Sequence, residues 1–246
     1  MASSTSSRAE RSRRLDRVAV ALAVAAVVAV GAAGVAVSRS PVFHARTVQV
    51  SGGSHLSRPE LVALAGVSKA TNVVWLDEGA IERRLTTHPW ISAATVRAEF
   101  PSTIHIRVVE RSPIAVAVDG ARRLILAGDG TVLGPAGREH RRLPSIELPP
   151  VGGPEGPKPR FDGAARALAA MDVLVRSLVR RIDVRPDGTL EIRLRDGVRV
   201  AFGTPSRADR KAAALTQVLG WAAAEGQPLR SVSVVAPEAP AATIAG

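Results

Sequence analysis

The stretch Phe100-Pro101-Ser102-Thr103-Ile104-His105-Ile106-Arg107-Val108-Val109-Glu110-Arg111-Ser112-Pro113 decides how the chain folds. Thr103 to Val108 alternates polar and apolar residues, so Ile104, Ile106 and Val108 share one face of a strand. Pro101-Ser102 is a turn, and before it Ile91 to Phe100 reads as another strand with Val96 near its centre. Further upstream a helix starts at Asp77, sets Ile81 and Leu85 four residues apart, and has to end by His88 because Pro89 comes next. Ser57-Arg58-Pro59-Glu60 is a capping box in which the Ser hydroxyl accepts from the backbone N–H three residues on while Glu60 reaches back. The helix it opens turns Leu61, Leu64 and Ala65 inward and ends near Gly66. Earlier still, Phe43 to Val50 ends in the alternation of a half-buried strand, which Ser51-Gly52-Gly53 stops. The order strand, helix, helix, strand, strand predicts a small α+β module with two helices on one sheet face.

Downstream of Pro113, Ile114 to Val118, Arg122 to Leu126 and Thr131 to Leu133 read as short strands joined by glycine turns. Gly128, Gly130 and Gly134 miss the dinucleotide-loop spacing and no Lys-Ser/Thr comes after them, so turn chemistry accounts for them. Pro135 to Pro159 is rich in Pro and Gly and holds an extended loop around Pro149 to Pro154. Asp162 opens one amphipathic helix carrying Leu168, Met171, Val175 and Leu178 at helical spacing. Arg181 to Arg185, Leu190 to Arg195 and Val198 to Phe202 are then strands, and Ser206-Arg207-Ala208-Asp209 reads as the cap of a helix bearing Leu215, Val218 and Leu219. Leu229 to Val235 is the last expected strand.

These segments carry a resemblance. Val48-Gln49-Val50-Ser51-Gly52, Asn72-Val73-Val74-Trp75-Leu76-Asp77, His88-Pro89-Trp90-Ile91 and the run from Phe100 to Pro113 resemble a POTRA domain of the FtsQ/DivIB family of bacterial division proteins. Arg195 to Gly203 is similar to the family's "dGxxvxlG" signature, with Lys211 at the Lys position of the next helix. Ser231 stands where an Asp is common in the family, and Ala127-Gly128-Asp129-Gly130 is a variant of its turn. The resemblance implies an α+β fold made of a β-α-α-β-β POTRA domain over 43–111 and an FtsQ-type β domain over 112–236, with a flexible tail over 237–246. The second domain is expected to be mixed α/β with a mainly antiparallel sheet.

Residues 18–37 contain no charged or hydrogen-bonding side chain. A helix of that length covers about 30 Å, the hydrocarbon thickness of a bilayer. A core helix normally keeps a polar stripe, and this run has none. It is also longer than the apolar part of a signal peptide, and Ala36-Val37-Ser38 is only a passable cleavage site, so an uncleaved single transmembrane helix is favoured. Arg8, Arg11, Arg13, Arg14 and Arg17 on its N-terminal flank predict that residues 1–17 are a cytoplasmic tail and that the chain beyond the helix lies outside the cytoplasmic membrane. By resemblance the protein concentrates at the division septum.

The net charge of +11 does not point to nucleic acid, because beyond that flank the Arg residues are interspersed with acids and no basic stretch is interleaved with aromatics. Four Phe, three Trp and no Tyr leave a core of aliphatic packing. Without Cys there is no disulfide, thiolate site or cysteine nucleophile, and no two of the five His are spaced for a shared helical face, so no metal or other cofactor is expected. Ser54 beside His55 fails the nucleophile-elbow pattern, and no catalytic set is visible. The expectation is a scaffold and not an enzyme. The alternative is a membrane-anchored or secreted cell-wall hydrolase, which would need two of the acids to converge.

Binding has a physical basis at the final strand, Arg230-Ser231-Val232-Ser233-Val234-Val235. If only a Pro- and Ala-rich tail comes after it, this strand lies at a sheet edge and leaves backbone groups open to another chain. By resemblance the partners are the bitopic proteins FtsB and FtsL, with FtsB adding a strand here, and through them the septal peptidoglycan synthases FtsW and FtsI. On this expectation Val232→Pro disrupts partner capture beyond any loss of folding.

Overall fold

A computed structural model of the protein describes residues 6–148 and 161–245, with side chains from residue 22 onward. The loop expected around Pro149 to Pro154 and the side chains of Arg8, Arg11, Arg13, Arg14 and Arg17 lie outside the described residues. The chain divides into two units, residues 1–86 with 93–109, and residues 87–92 with 110–246.

Helix α1 (Ser6–Ser38) opens the first unit. All residues from Leu22 to Val37 are exposed along it. Among the described residues no helix is long and apolar enough to cross a membrane, and the first residues of the expected span, 18–21, have side chains outside that description. At its far end the Asn72 side chain donates from Nδ2 to the Ser38 carbonyl at 2.8 Å, satisfying one of the carbonyls that a helix terminus leaves open.

The rest of this unit grows from its sequence signals. Strand β1 (Thr47–Ser51), helices α2 (Arg58–Ala65) and α3 (Glu78–Thr86), and strands β2 (Ile91–Glu99) and β3 (Thr103–Glu110) succeed one another as expected. The sheet order is β1-β3-β2. β1 runs parallel to β3 from Thr47 opposite Thr103 to Ser51 opposite Arg107. The capping box forms, with the Ser57 N–H donating to Glu60 Oε2 at 2.8 Å and the Glu60 N–H donating to Ser57 Oγ at 3.5 Å. Gly66 ends α2 in the left-handed conformation at φ 65°. Ile104, Ile106 and Val108 are buried, as are Leu61, Ala65, Ile81 and Leu85 of the helices. Gly52 is required where it stands: a Cβ there would lie 2.0 Å from the Val108 carbonyl oxygen, at φ +77°.

β2 is an edge strand, and its outward N–H groups find carboxylates instead of a neighbouring strand. Val96 N–H donates to Glu82 Oε1 at 2.9 Å and Ala98 N–H to Glu78 Oε1 at 2.7 Å. Glu78 and Glu82 are four apart on α3, so one helical face closes the edge.

The second unit is built on one nine-stranded sheet. Its strands are β4 (Pro113–Asp119), β5 (Arg122–Ala127), β6 (Val132–Pro135), β7 (Ser145–Glu147), β8 (Val179–Val184), β9 (Leu190–Leu194), β10 (Arg199–Gly203), β11 (Leu229–Ser233) and β12 (Ala241–Ile244). They lie in the order β12-β11-β10-β9-β8-β7-β4-β5-β6. Three of the neighbouring pairs are parallel, β10 with β11, β4 with β7 and β7 with β8, so the sheet is mixed. The other pairs are antiparallel. Helices α4 (Asp162–Ala169), α5 (Val173–Leu178) and α6 (Ala208–Ala224) supply Leu168, Val175 and Leu215 to a core shared with Met171, Ile182, Ile192, Val200, Phe202 and Val232.

Three local expectations change in this unit. The single amphipathic helix from Asp162 breaks after Ala169, because Asp172 caps a new helix by accepting from Val175 N–H at 2.8 Å. Ser206 does not cap α6; its hydroxyl pairs with Thr204, and the N-cap is Arg207 at φ 54°. β7 forms inside the Pro- and Gly-rich stretch from Pro135 to Pro159, where no strand is expected, because β4 and β8 hold it from both sides.

Candidate partner-binding edge

The strand expected to be last is not the edge. β11 pairs on its inner side with β10, Arg199 opposite Ser231 and Ala201 opposite Ser233. On its outer side it pairs antiparallel with β12, Ser231 opposite Thr243, Val232 opposite Ala242 and Ser233 opposite Ala241. Residues 241–244, expected within a flexible tail over 237–246, thus form the outermost strand. Nothing in the sequence signals it, since Ala241-Ala242-Thr243-Ile244 is short and half alanine, and only the open edge of β11 makes it a strand.

Of the candidate residues, Val232 and Val234 are buried, Ser231 and Ser233 half-buried, and Arg230 and Val235 exposed. The Val234 N–H donates inward to the Ala201 carbonyl at 3.0 Å. Backbone N–H groups alternate along a strand, so Val232 also directs its N–H toward β10, and Ser231 and Ser233 direct theirs toward β12. Val232→Pro therefore strikes the inner ladder and the core, and it does not isolate the edge as expected from the sequence. On β12 the same alternation leaves the Ala242 N–H on the outside, and all four of its residues are exposed.

β12 is tied at both ends. Glu238, in the preceding turn, accepts from Arg207 at 2.8 Å and lies 3.8 Å from Arg210, both at the start of α6. Beyond the strand the Ala245 N–H donates to the Pro228 carbonyl at 2.8 Å. Val235 packs over Gly203, and beside it Lys211 is buried, donating to the Thr204 carbonyl at 2.8 Å with its ammonium 5.5 Å from the centre of the Phe202 ring. Burial, and secondarily the Arg207 charge, push the Lys211 pKa down.

Arg111, from the Glu-Arg-Ser-Pro segment, clasps the other end of this unit. Its Nε donates to Asp129 Oδ2 at 2.8 Å and its Nη1 to the carbonyls of Pro89 at 2.9 Å and Ile91 at 2.6 Å. Burial pushes the Asp129 pKa up, but hydrogen bonds from Arg111 and Thr131 outweigh it and lower the value from the usual 3.8 to about 2. A depressed carboxylate contributes stability above its unfolded pKa and loses it as pH falls through the folded one. Asp129 is 51% exposed, so solvent screening holds the effect to ~1 kcal/mol. Asp129→Asn is expected to be less stable than the parent by that amount near neutral pH in denaturant titrations. The gap should close as pH falls from 3.8 to about 2.

Among the described residues no group of three or more His, Asp or Glu is arranged to hold a metal ion.

Comparison with known proteins places this architecture. The profile of the "POTRA domain, FtsQ-type" matches residues 43–111. That of "Cell division protein FtsQ/DivIB, C-terminal" matches residues 115–232, ending inside β11. The cell division protein FtsQ of Mycolicibacterium smegmatis is 30% identical over 212 residues, covering 84% of this chain and 59% of that protein. FtsQ of Mycobacterium tuberculosis H37Rv is 29% identical over 209 residues, covering 84% and 63%. The chain thus spans less than two thirds of the length of these relatives. A solved structure of the major extracytoplasmic domain of the trans isomer of DivIB from Geobacillus stearothermophilus aligns over 47% of this chain and 93% of that one, at 18% identity and a TM-score of 0.33. With the two profiles matched in order along the chain, this protein belongs to the FtsQ/DivIB family of bacterial cell division proteins.

Proposed function

We propose that this cell division protein is a single-pass, N-in membrane scaffold that holds FtsB- and FtsL-type partners outside the membrane and through them regulates the FtsW and FtsI septal peptidoglycan synthases. It works by binding and not by turnover. The observation that carries the reading is the end of the large sheet, where among the described residues β11 is covered by the four exposed residues of β12, two of them alanine. So little apolar surface resists replacement of β12 by a partner strand on Ser231 and Ser233. Arg230 to Val235 is the partner-contacting segment in this reading.

The anchor is supported by α1, whose exposed stretch includes Leu22, Val24, Val27, Val28 and Val30, each more than half exposed. An apolar helix uncovered all round suits lipid. Trp75 is 62% exposed and Val42 52% exposed. Trp75 comes three residues after Asn72, whose side chain is bonded to the end of α1, so the backbone between Asn72 and Trp75 spans no more than about 11 Å. An exposed indole in a segment tied to the end of α1 suits the headgroup layer.

The test is a pull-down of the full chain in lipid nanodiscs with the outer segments of FtsB- and FtsL-type proteins, alongside a peptidoglycan turnover assay. Saturable capture without turnover is expected. Turnover without capture would overturn the reading in favour of a wall hydrolase.

A further inference from the structure

The face of the large sheet opposite the buried Ile182, Ile192 and Val200 carries an arrangement that costs stability. Arg181 stands directly opposite Arg193 across β8 and β9, and Arg193 directly opposite Arg199 across β9 and β10. Like charges opposite one another on neighbouring strands are destabilising, and here three stand in file. The next file on the same face is acidic, with Glu147 opposite Asp183 and Asp183 opposite Glu191. Those acids are already engaged on their own side. Arg181 reaches Glu147 at 3.2 Å and Asp183 at 3.0 Å, Arg193 lies 3.8 Å from Asp183, and Arg185 holds Glu191.

The other side of the arginine file has no acidic file of its own among the described residues. There the chain opens a cavity of about 450 Å³ lined by Arg123, Arg141, Arg180, Arg181, Arg193 and Arg195, with Glu147 as the one carboxylate among the described lining residues. Arg180 turns into it because the register shifts between Val179 and Arg181. Arg195 is fixed by donating to the carbonyls of Ser177 at 2.8 Å and Arg142 at 2.9 Å. Among the described residues Arg123, Arg141 and Arg180 have no carboxylate partner. The lining contains no aromatic ring, so bases or sugars have nothing to stack on.

We propose that this cavity binds a phosphate-bearing polyanion. Guanidinium groups present forked donors that match phosphate oxygens two at a time. Strands about 4.8 Å apart hold successive arginines close enough for each phosphate to meet two of them, and the cavity has room and charge for several phosphates in series. A bound polyanion offsets the repulsion within the file, which is why the arginines are tolerated there. A soluble phosphate polymer and the headgroups of anionic lipid share this chemistry.

The experiment uses the full chain in a neutral detergent micelle, titrated calorimetrically with inorganic tripolyphosphate, and in parallel floated with vesicles containing anionic phospholipid. The variant Arg123→Gln/Arg141→Gln/Arg180→Gln leaves intact the ion pairs that Arg181 and Arg193 make with Glu147 and Asp183. The control Arg58→Gln/Arg83→Gln/Arg107→Gln removes the same charge from the first unit. Tripolyphosphate affinity is expected to fall at least about tenfold in the variant and to change by less than about twofold in the control. Loss confined to vesicle binding would support the same site with a lipid headgroup as its source. Equal losses in variant and control, orthophosphate binding as tightly as tripolyphosphate, or capture of poly-glutamate with no tripolyphosphate binding would each overturn the proposal.

Discussion

Phe202→Ala is expected to destabilise the second unit by ~3–5 kcal/mol, the range for emptying a fully buried aromatic site. Phe202 is 0% exposed on β10, among core side chains that include Val200, Leu215 and Val234. Collapse into the cavity is hindered from one side, because the ring also carries the Lys211 ammonium 5.5 Å from its centre. Removing the ring leaves that cation buried with the Thr204 carbonyl as its remaining contact at 2.8 Å, which adds an electrostatic penalty to the cavity. Phe202→Leu retains most of the volume and should cost distinctly less. Urea titration monitored by the fluorescence of Trp221, which stands on α6 of the same unit, reads both variants. Equal stability of the alanine and leucine variants would show that packing against Phe202 is not what holds β10 to α6.

The second large effect concerns partner capture and separates two ways of adding a strand. If the partner replaces β12, the N–H groups it needs are those of Ser231 and Ser233, and Ser233→Pro removes one of them from an otherwise outward position. Affinity for the partner strand should then fall about tenfold, the loss of one well-made hydrogen bond plus the local distortion of the ladder. Ala242→Pro, which removes an N–H directed away from β11, should leave affinity unchanged or raise it by loosening β12. The reverse pattern, loss in Ala242→Pro with Ser233→Pro unaffected, would show that the partner extends the sheet beyond β12. Circular dichroism on each variant guards against a loss that is only unfolding.

The two units differ in how openly their sequence speaks. In the first, the alternation from Thr103 to Val108, the Ser57–Glu60 box and Gly66 each specify local backbone geometry by short-range means, and all three form as read. The carboxylates of Glu78 and Glu82 on the β2 edge carry no such signal, because an acid pair four apart on a helix reads equally as a solvated face. In the second unit the strands with branched residues are legible, whereas the break at Asp172 depends on a partner 44 positions away: Thr216 donates its hydroxyl to Asp172 Oδ2 at 2.7 Å. The candidate segment Arg230 to Val235 reads as a strand from its alternation, yet its inner place in the sheet is invisible without β12.

The order of elements in the first unit, its β-α-α-β-β module, the apolar run at 18–37 and the family are all legible in the chain alone, because periodicity, caps and motifs act over a few residues and survive in one dimension. Folding in three dimensions was needed to establish which strand closes the sheet, which N–H groups face outward, and that Arg181, Arg193 and Arg199 stand in one file. Those facts depend on strand register, and register is set by pairing between segments far apart in the chain. A shift of one residue would have turned the arginines into the core and the valines of β11 to the solvent.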